Sequence, residues 1–173
     1  MAESGIVVDT SKGFPHLLTL KDIFKKRRLF ILHLVRDPRA VVFSWTRRRY
    51  RPEADDYMEP RGAVGVAIRW LVHNVLISFF GPRMSSGYVR IMYEDVCRDP
   101  ATVERALKSL GMTGRGAEPS YHSIAGNPMR FTQPQIEIRL DEEWRKVMSD
   151  SSRRLAWWLT APLSRKFGYR RES

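Results

Sequence analysis

The chain has 173 residues, of which 43% are hydrophobic, so it is long enough to bury one moderate core and is one domain at most. Its 30 basic residues against 19 acidic ones give a net charge of +11, and 23 of the 30, counted along the sequence, are arginines. Such a charge fits several anionic partners (nucleic acid, a membrane surface, a phosphorylated nucleotide or a sulfated glycan) without choosing among them. Cys97 is the only cysteine, which excludes an internal disulfide and a cysteine-based metal site. The four histidines lack ligand spacing, so no metal is predicted.

The first half of the chain alternates short apolar runs with helical patterns. Residues 6–9 are predicted as a short buried strand, and 15–26 as a helix with a basic end. The apolar, branched run 29–35 is predicted as a buried strand, and 38–49 as the helix that follows it. The polar, charged and proline-containing residues 47–60 are predicted as an exposed loop.

The second half adds a long helix, a third strand and two further helical regions, predicted at 62–80, 88–93, 98–111 and 141–167, with irregular chain over 113–140. Gly81-Pro82 is expected to end the long helix, and Asp99 to cap the next one. The longest apolar stretch, 70–80, contains His73 and Asn74 and is too short to span a bilayer, so the chain is expected to be soluble. Strands alternating with helices predict an α/β fold with a parallel sheet and helices on its faces.

Residues 29–44, LFILHLVRDPRAVVFS, carry the most informative pattern. The strand stops abruptly at Arg36-Asp37-Pro38, where Asp37 is a good N-cap and Pro38 suits the first helical position. An arginine at the carboxyl end of a buried strand, beside a fresh helix N-terminus, predicts an anion site. Ser44 lies about two turns into the helix and can add a hydroxyl donor near the same place.

This segment resembles the 3′-phosphate-binding motif of the sulfotransferases that use 3′-phosphoadenosine 5′-phosphosulfate (PAPS). The sequence LVRDPRAV at 34–41 resembles the motif of the carbohydrate sulfotransferases in particular. The resemblance to the family extends from residue 6 to the end of the chain. It implies that Arg36 and Ser44 hold the 3′-phosphate of the nucleotide. It also implies a three-layer α/β/α fold with a parallel sheet, the P-loop NTPase-like sulfotransferase fold, with residues 1–173 as a single, N-terminally incomplete domain.

Two further motifs extend the resemblance around the nucleotide. RIMYED at 90–95 resembles the family's YED motif, which implies that Tyr93 lies near the adenine; the alternative is a half-buried tyrosine followed by solvated carboxylates. HSIAGNPMRF at 122–131 resembles a loop that closes over the nucleotide, with the backbone of Gly126 and the side chain of Arg130 near the 3′-phosphate. A glycine lets the backbone approach a phosphate closely, and an arginine offers it a two-pronged partner. The alternative is an ordinary surface loop.

Three other features have more than one interpretation. VDTSK at 8–12 resembles the family's VDSSK segment, so Lys12 could balance charge on the bridging oxygen during transfer; a surface lysine at a strand end is the alternative. Trp70 and Asn74 share a helix face that in the family lies near the adenine pocket, although core packing is the favoured role of Trp70. The arginine run 47–51 is either a solvated face or a rim that steers an acidic glycan or the nucleotide.

The family's first strand and its glycine-containing 5′-phosphosulfate loop, whose physical logic is that of a P-loop, have no counterpart in this sequence. The chain therefore matches the later two-thirds of such a domain, without the helix that often carries the catalytic base. A fragment or truncated gene model is the favoured interpretation. A degenerate relative, and a partner that supplies the missing piece, are the alternatives.

Together these motifs predict an enzyme, a sulfotransferase that moves a sulfuryl group from PAPS to an acceptor hydroxyl, in the first instance of a carbohydrate, with no metal. The alternatives are a non-catalytic basic module that binds nucleic acid or sulfated glycan, and an inactive sulfotransferase-like fragment. The acceptor, the catalytic base and the oligomeric state are not readable from the chain. The compartment depends on lineage, being the Golgi lumen for an animal carbohydrate sulfotransferase and the cytoplasm for a bacterial relative; no membrane segment is expected.

Overall fold

The computed structural model of the protein describes residues 8–10, 13–25, 27–51, 55–112 and 139–171. It is mixed α/β and 60% helical, with a small parallel sheet of two strands. The described helices are α1 (Phe14–Ile23), α2 (Pro38–Thr46), α3 (Ala63–Met84), α4 (Tyr93–Arg98), α5 (Ala101–Ser109), α6 (Glu143–Val147) and α7 (Asp150–Lys166). The described strands are β1 (Phe30–Val35), β2 (Arg49–Arg51), β3 (Asp56–Met58) and β4 (Gly87–Met92). The predicted α/β class is confirmed at this level.

The parallel sheet pairs β1 with β4, and its register ends with Val35 opposite Met92. Because the strands run parallel and end level with each other, the residues that follow them, Arg36 and Tyr93, emerge at the same edge of the sheet. One face of β1 packs on α3 and α7 in a cluster of buried side chains: Val35, Trp70, Leu163 and Phe167. On its opposite face Leu34 is 52% exposed.

A second buried cluster fixes α2 against α3, α6 and α7: Ala40, Val42, Phe43, Val66, Ala67, Trp144, Met148 and Ala156. Val42 is completely buried within it. Helix α2 begins as the sequence predicts, with Pro38 in the first turn and the side chain of Asp37 accepting the backbone N–H of Arg39. The packing of α2 therefore holds the start of this helix, and with it Arg36, in a fixed position.

Between α2 and α3 the structure departs from the sequence-based expectation. Helix α2 ends at Thr46, three residues earlier than predicted, and β2 and β3 form an antiparallel hairpin where a loop was predicted. Tyr50 lies opposite Tyr57, with ring centroids 5.3 Å apart, and such cross-strand aromatic pairs stabilise short strands. In the predicted strand 6–9, residues 8 and 9 have no regular structure, which makes the prediction wrong there; residues 6 and 7 lie outside the described residues.

Helix α3 runs past Gly81-Pro82 to Met84, so the prediction that this dipeptide ends the helix is wrong. Proline has the backbone angle of a helix and costs only one hydrogen bond in the last turn, while the N–H and hydroxyl of Ser85 both bond to the carbonyl of Gly81. A Cβ on Gly81 would lie 2.9 Å from the ring of Tyr88, so the glycine allows a close approach of α3 to β4. The helix terminus is thus set by Ser85 rather than by Gly81.

The region after β4 also differs in detail. Tyr93 begins the short helix α4 instead of ending a strand, so the predicted strand 88–93 lies one residue later than the observed strand, Gly87–Met92. Asp99 accepts the N–H of Ala101 at 3.1 Å, as its predicted capping role requires, and Gly111 follows α5 with a φ of +73°.

By length and composition alone α3, with 22 residues, could cross a membrane, contrary to the expectation that the apolar stretch is too short. Core helices of soluble proteins have the same length and composition, and α3 buries one side, including Trp70 and Asn74, against the rest of the chain. Its other side carries a row of exposed apolar side chains: Val64, Ile68, Val72, Val75 and Phe79.

Candidate anion-binding site

Arg36 lies directly after β1, where the sequence predicts an anion-binding arginine. Its backbone carbonyl accepts the indole N–H of Trp70 at 3.0 Å, which ties this end of β1 to α3. Its guanidinium lies over the ring of Tyr93, 4.6 Å from the ring centroid, and its side chain is 22% exposed. The structure therefore brings together two of the predicted site residues, Arg36 and Tyr93, at the carboxyl edge of the sheet.

Tyr93 combines a flat ring with a hydroxyl held in place. The hydroxyl donates to the backbone carbonyl of Arg139 at 3.3 Å. Burial, together with the neighbouring Cys97, raises the pKa of Tyr93 to about 12, despite the opposing effect of the Arg36 guanidinium. The phenol is therefore neutral at physiological pH, and its half-buried ring lies against the guanidinium of Arg36.

The remaining predicted site residues are not joined to this pair. Ser44 is half-buried in the second turn of α2, and its hydroxyl has no hydrogen-bond partner among the described residues. Lys12, Gly126 and Arg130 lie outside the described residues.

The N-terminus of α2, expected to attract an external anion, already binds carboxylates of the chain. Asp37 accepts the N–H of Arg39 at 2.8 Å, and Glu94 accepts the N–H of Asp37 at 3.0 Å. Glu94 in turn accepts the hydroxyl of Tyr169 at 2.8 Å, so it is not the solvated carboxylate of the alternative interpretation. Since two carboxylates occupy these N–H groups, a ligand anion would meet the guanidinium of Arg36 rather than the helix terminus.

Arg39 forms a buried ion pair that the sequence analysis did not single out. Its guanidinium donates to both carboxylate oxygens of Asp37, at 3.0 and 2.7 Å, and only 3% of its side chain is exposed. It lies against the rings of Trp144 and Trp157, with centroids 4.8 and 5.3 Å away. The second arginine of the Arg-Asp-Pro-Arg sequence is thus structural, whereas the first lies over the ring of Tyr93.

Asp141 supplies the anion that Arg36 holds in this structure. A terminal nitrogen of Arg36 (Nη2) donates to Oδ2 of Asp141 at 2.9 Å, and Oδ1 of Asp141 accepts the N–H of Glu143 at 3.2 Å. Burial raises the pKa of Asp141, but the hydrogen bonds from Arg36 and Glu143 outweigh it, and the pKa lies below its usual value. The carboxylate is therefore charged at neutral pH. No sequence pattern indicates this contact, because the two residues are 105 positions apart.

Glu143, two residues after Asp141, holds a second arginine. Glu143 accepts a hydrogen bond from Arg47 at 2.7 Å, and the guanidinium of Arg47 stacks on Phe43, 4.1 Å from the ring centroid. Arg47 was expected either on a solvated face or at a binding rim, and it is instead two-thirds buried. In both Arg36 and Arg47 the buried Nε has no hydrogen-bond partner among the described residues.

A cleft of about 400 Å³ opens beside the Arg36–Asp141 pair, at the carboxyl ends of β1 and β4. Such ends of parallel strands are where open α/β sheets place their ligands. Arg36 and Tyr93 are not part of its lining, but Asp141, the carboxylate that pairs with Arg36, is. The lining is charged of both signs and includes Asp37, Arg39, Glu94, Asp95, Arg98, Asp141, Glu142, Trp144, Arg145, Phe167 and Tyr169.

Within the described part of the chain, no group of three or more His, Cys, Asp or Glu side chains is arranged to hold a metal ion. Comparison with protein-family models, curated proteins and solved structures finds no match. The functional interpretation therefore depends on the sequence motifs and on the geometry around Arg36.

Proposed function

We propose that this chain is the nucleotide-binding part of a PAPS-dependent sulfotransferase of the carbohydrate type, with the three-layer α/β/α fold of that family. The observation that carries the proposal is the pairing of Arg36 with Tyr93 at the carboxyl edge of the parallel sheet, with their side chains stacked. The resemblance assigns these two residues to opposite ends of one ligand moiety, the 3′-phosphate and the adenine. Their proximity is what a shared adenosine ligand would require.

In the proposed complex, Arg36 binds the 3′-phosphate through charge-assisted hydrogen bonds, which are roughly twice as strong as neutral ones. Its Nη2, which pairs with Asp141 in this structure, is one donor for such a ligand. The ring of Tyr93, which lies against the Arg36 guanidinium, would bind the adenine side of the ligand, as the resemblance implies. Ser44, Gly126 and Arg130 would complete the phosphate site as the resemblance implies.

The proposed reaction moves a sulfuryl group in line from PAPS to an acceptor hydroxyl. A bond forms between the acceptor oxygen and sulfur, the bond between sulfur and the bridging phosphate oxygen breaks, and 3′-phosphoadenosine 5′-phosphate (PAP) leaves. The acceptor proton goes to a base outside the residues assigned here. Lys12 would balance the charge that develops on the bridging oxygen, since catalysis of such transfers is mainly positioning and cationic stabilisation. The 5′ end of the donor would be held by elements outside this sequence.

Replacing Arg36 with alanine is expected to weaken PAP binding by about 1.5–3 kcal/mol, roughly 10- to 150-fold, because a charged hydrogen-bonding partner is lost. Calorimetric titration of both proteins measures this, with 5′-AMP as the comparison ligand because it lacks the 3′-phosphate. Arg105→Ala is the matched control: Arg105 is exposed, pairs with Asp99 and lies outside the site. Equal PAP affinity in the wild type and Arg36→Ala would remove Arg36 from the site, and failure of the folded wild type to bind PAP would overturn the proposed function.

The second candidate is a basic module that binds long polyanions without chemistry, and the net charge of +11 favours it. Its binding should fall steeply with salt and show little preference for a 3′-phosphate. The pairing of Arg47 with Glu143 counts against it, because the first arginine of the basic run already pairs with a carboxylate of the chain. Titration with heparin and with PAP at two salt concentrations separates the two candidates.

A further inference from the structure

Arg36 pairs with a charged side chain of its own protein. The Asp141 carboxylate contacts it through one short hydrogen bond, at 2.9 Å, and a longer contact at 3.4 Å joins Arg36 to the Asp141 carbonyl. Any external anion that binds Arg36 has to compete with this carboxylate.

We propose that Asp141 is a specificity-determining residue of the nucleotide site: its carboxylate occupies Arg36 and yields to a dianionic phosphate monoester but not to a monoanion. This inference rests on the proposed function, since it concerns the same arginine. It adds a selection step that is set by the charge of the ligand.

The competition depends on charge. A phosphate monoester carries a charge of about −1.5 to −2 at pH 7 and three acceptor oxygens, whereas a carboxylate carries one charge and two oxygens. A phosphodiester is a monoanion, so replacing the Asp141 carboxylate with a phosphodiester does not increase the negative charge beside Arg36. Exchanging the carboxylate for a monoester increases the negative charge at Arg36 and offers it an additional acceptor oxygen.

The surroundings of Asp141 allow it to leave Arg36. Its side chain is 34% exposed, and its other oxygen is already bonded to the N–H of Glu143. Arg47 is near enough to help lower the pKa of Asp141, so a second cation attracts the displaced carboxylate. Trp144, which is 3% exposed, anchors the following residues in the core. A rotation of one side chain can therefore open the site without moving the segment.

The test is calorimetric titration of the wild type and Asp141→Asn with 3′-AMP, a phosphate monoester, and with 2′,3′-cyclic AMP, a monoanionic phosphodiester. Asparagine keeps the shape and the acceptor toward Glu143 but removes the charge. We expect the wild type to prefer 3′-AMP clearly. Asp141→Asn should bind both ligands more tightly. For 2′,3′-cyclic AMP the gain should be about fivefold or more, which corresponds to about 1 kcal/mol, so the preference for 3′-AMP over 2′,3′-cyclic AMP should become smaller.

Glu142→Gln is the matched control, because it removes one charge from the adjacent residue, which pairs with Arg145 and not with Arg36. An equal gain in Glu142→Gln would mean a long-range charge effect and would overturn the inference. Unchanged or weaker binding by Asp141→Asn would also overturn the inference. If Arg36→Ala loses binding in the same experiment, the proposed function still stands, because Arg36 is then shown to bind the ligand. Binding of neither ligand by any of the folded proteins would sink both proposals.

Discussion

Replacing Asp37 with alanine is expected to lower the free energy of unfolding by about 3–5 kcal/mol, the range for removing one partner of a buried ion pair. Asp37 is 4% exposed and caps α2, so the substitution removes a helix cap as well. It also takes from Arg39 the carboxylate with which its guanidinium makes two hydrogen bonds, deep among tryptophan rings. Urea unfolding at neutral pH, followed by tryptophan fluorescence, measures the loss.

The chain contains its own control for this prediction, because Arg-Asp-Pro occurs twice. Asp99 in the second triplet also caps a helix, but its ion pair with Arg105 is exposed at both ends. Asp99→Ala should therefore change stability far less than Asp37→Ala, since exposed ion pairs contribute little. Equal losses in the two variants would mean that burial of the Asp37–Arg39 pair is energetically unimportant.

A double substitution separates the ion pair from the cap. Removing both partners of a buried pair is commonly cheaper than removing one, because no uncompensated charge is left behind. Asp37→Ala combined with Arg39→Met should therefore recover part of the stability lost in Asp37→Ala. If the losses of stability in Asp37→Ala and Arg39→Met simply add in the double variant, the helix cap and local packing contribute more than the ion pair does.

The local part of this architecture could be predicted from the sequence. The apolar run before Arg36 and the Asp-Pro after it predicted a strand end and a helix start, because capping and proline geometry depend only on neighbouring residues. The spacing of Trp70 and Asn74 predicted a shared helix face, and the side chain of Asn74 indeed bonds to the carbonyl of Trp70 at 2.7 Å.

The partners of the charged residues could not be predicted in this way. Asp141 is 105 positions from Arg36, and Glu143 is 96 from Arg47, so no periodicity or cap rule connects them. The hairpin was missed for another reason: its strands have three residues each, too few for an alternating pattern to stand out among the arginines. The sequence motif identified Arg36 as a candidate anion-binding residue. Tertiary packing determines that Asp141 is the carboxylate that pairs with it.

Lowering the pH from about 7.5 to 5 is expected to cost about 2 kcal/mol of stability through one buried histidine, His33. Burial, with smaller effects of His73 and Arg90, lowers the pKa of His33 to about 4, against the opposing hydrogen bond to Asn74. In the unfolded chain His33 has its ordinary pKa near 6.5, so it binds a proton more tightly there than in the folded protein. The stability that neutral His33 contributes is therefore fully present above pH 6.5. It is lost as the pH falls from there toward 4.

The geometry explains why the imidazole stays neutral. Asn74 donates its amide to Trp70, so its carbonyl oxygen faces His33 and accepts from Nε2 at 2.9 Å. Nδ1 then accepts the hydroxyl of Tyr88 at 2.7 Å. The neutral ring thus joins β1 to α3 and β4, and protonating it adds a buried charge where both nitrogens already have partners.

The measurement is the urea midpoint of the wild type and of His33→Gln at several values between pH 7.5 and 5. We expect His33→Gln to be less stable at pH 7.5 but to have a flatter profile. His73→Gln is the necessary comparison, since burial and Arg69 lower the pKa of His73 too. Parallel profiles for the wild type and His33→Gln would refute the role of His33.

Since His33 lies on β1 and Tyr88 on β4, the strands that lead to Arg36 and Tyr93, acid should abolish PAP binding over the same pH range in which it unfolds the protein.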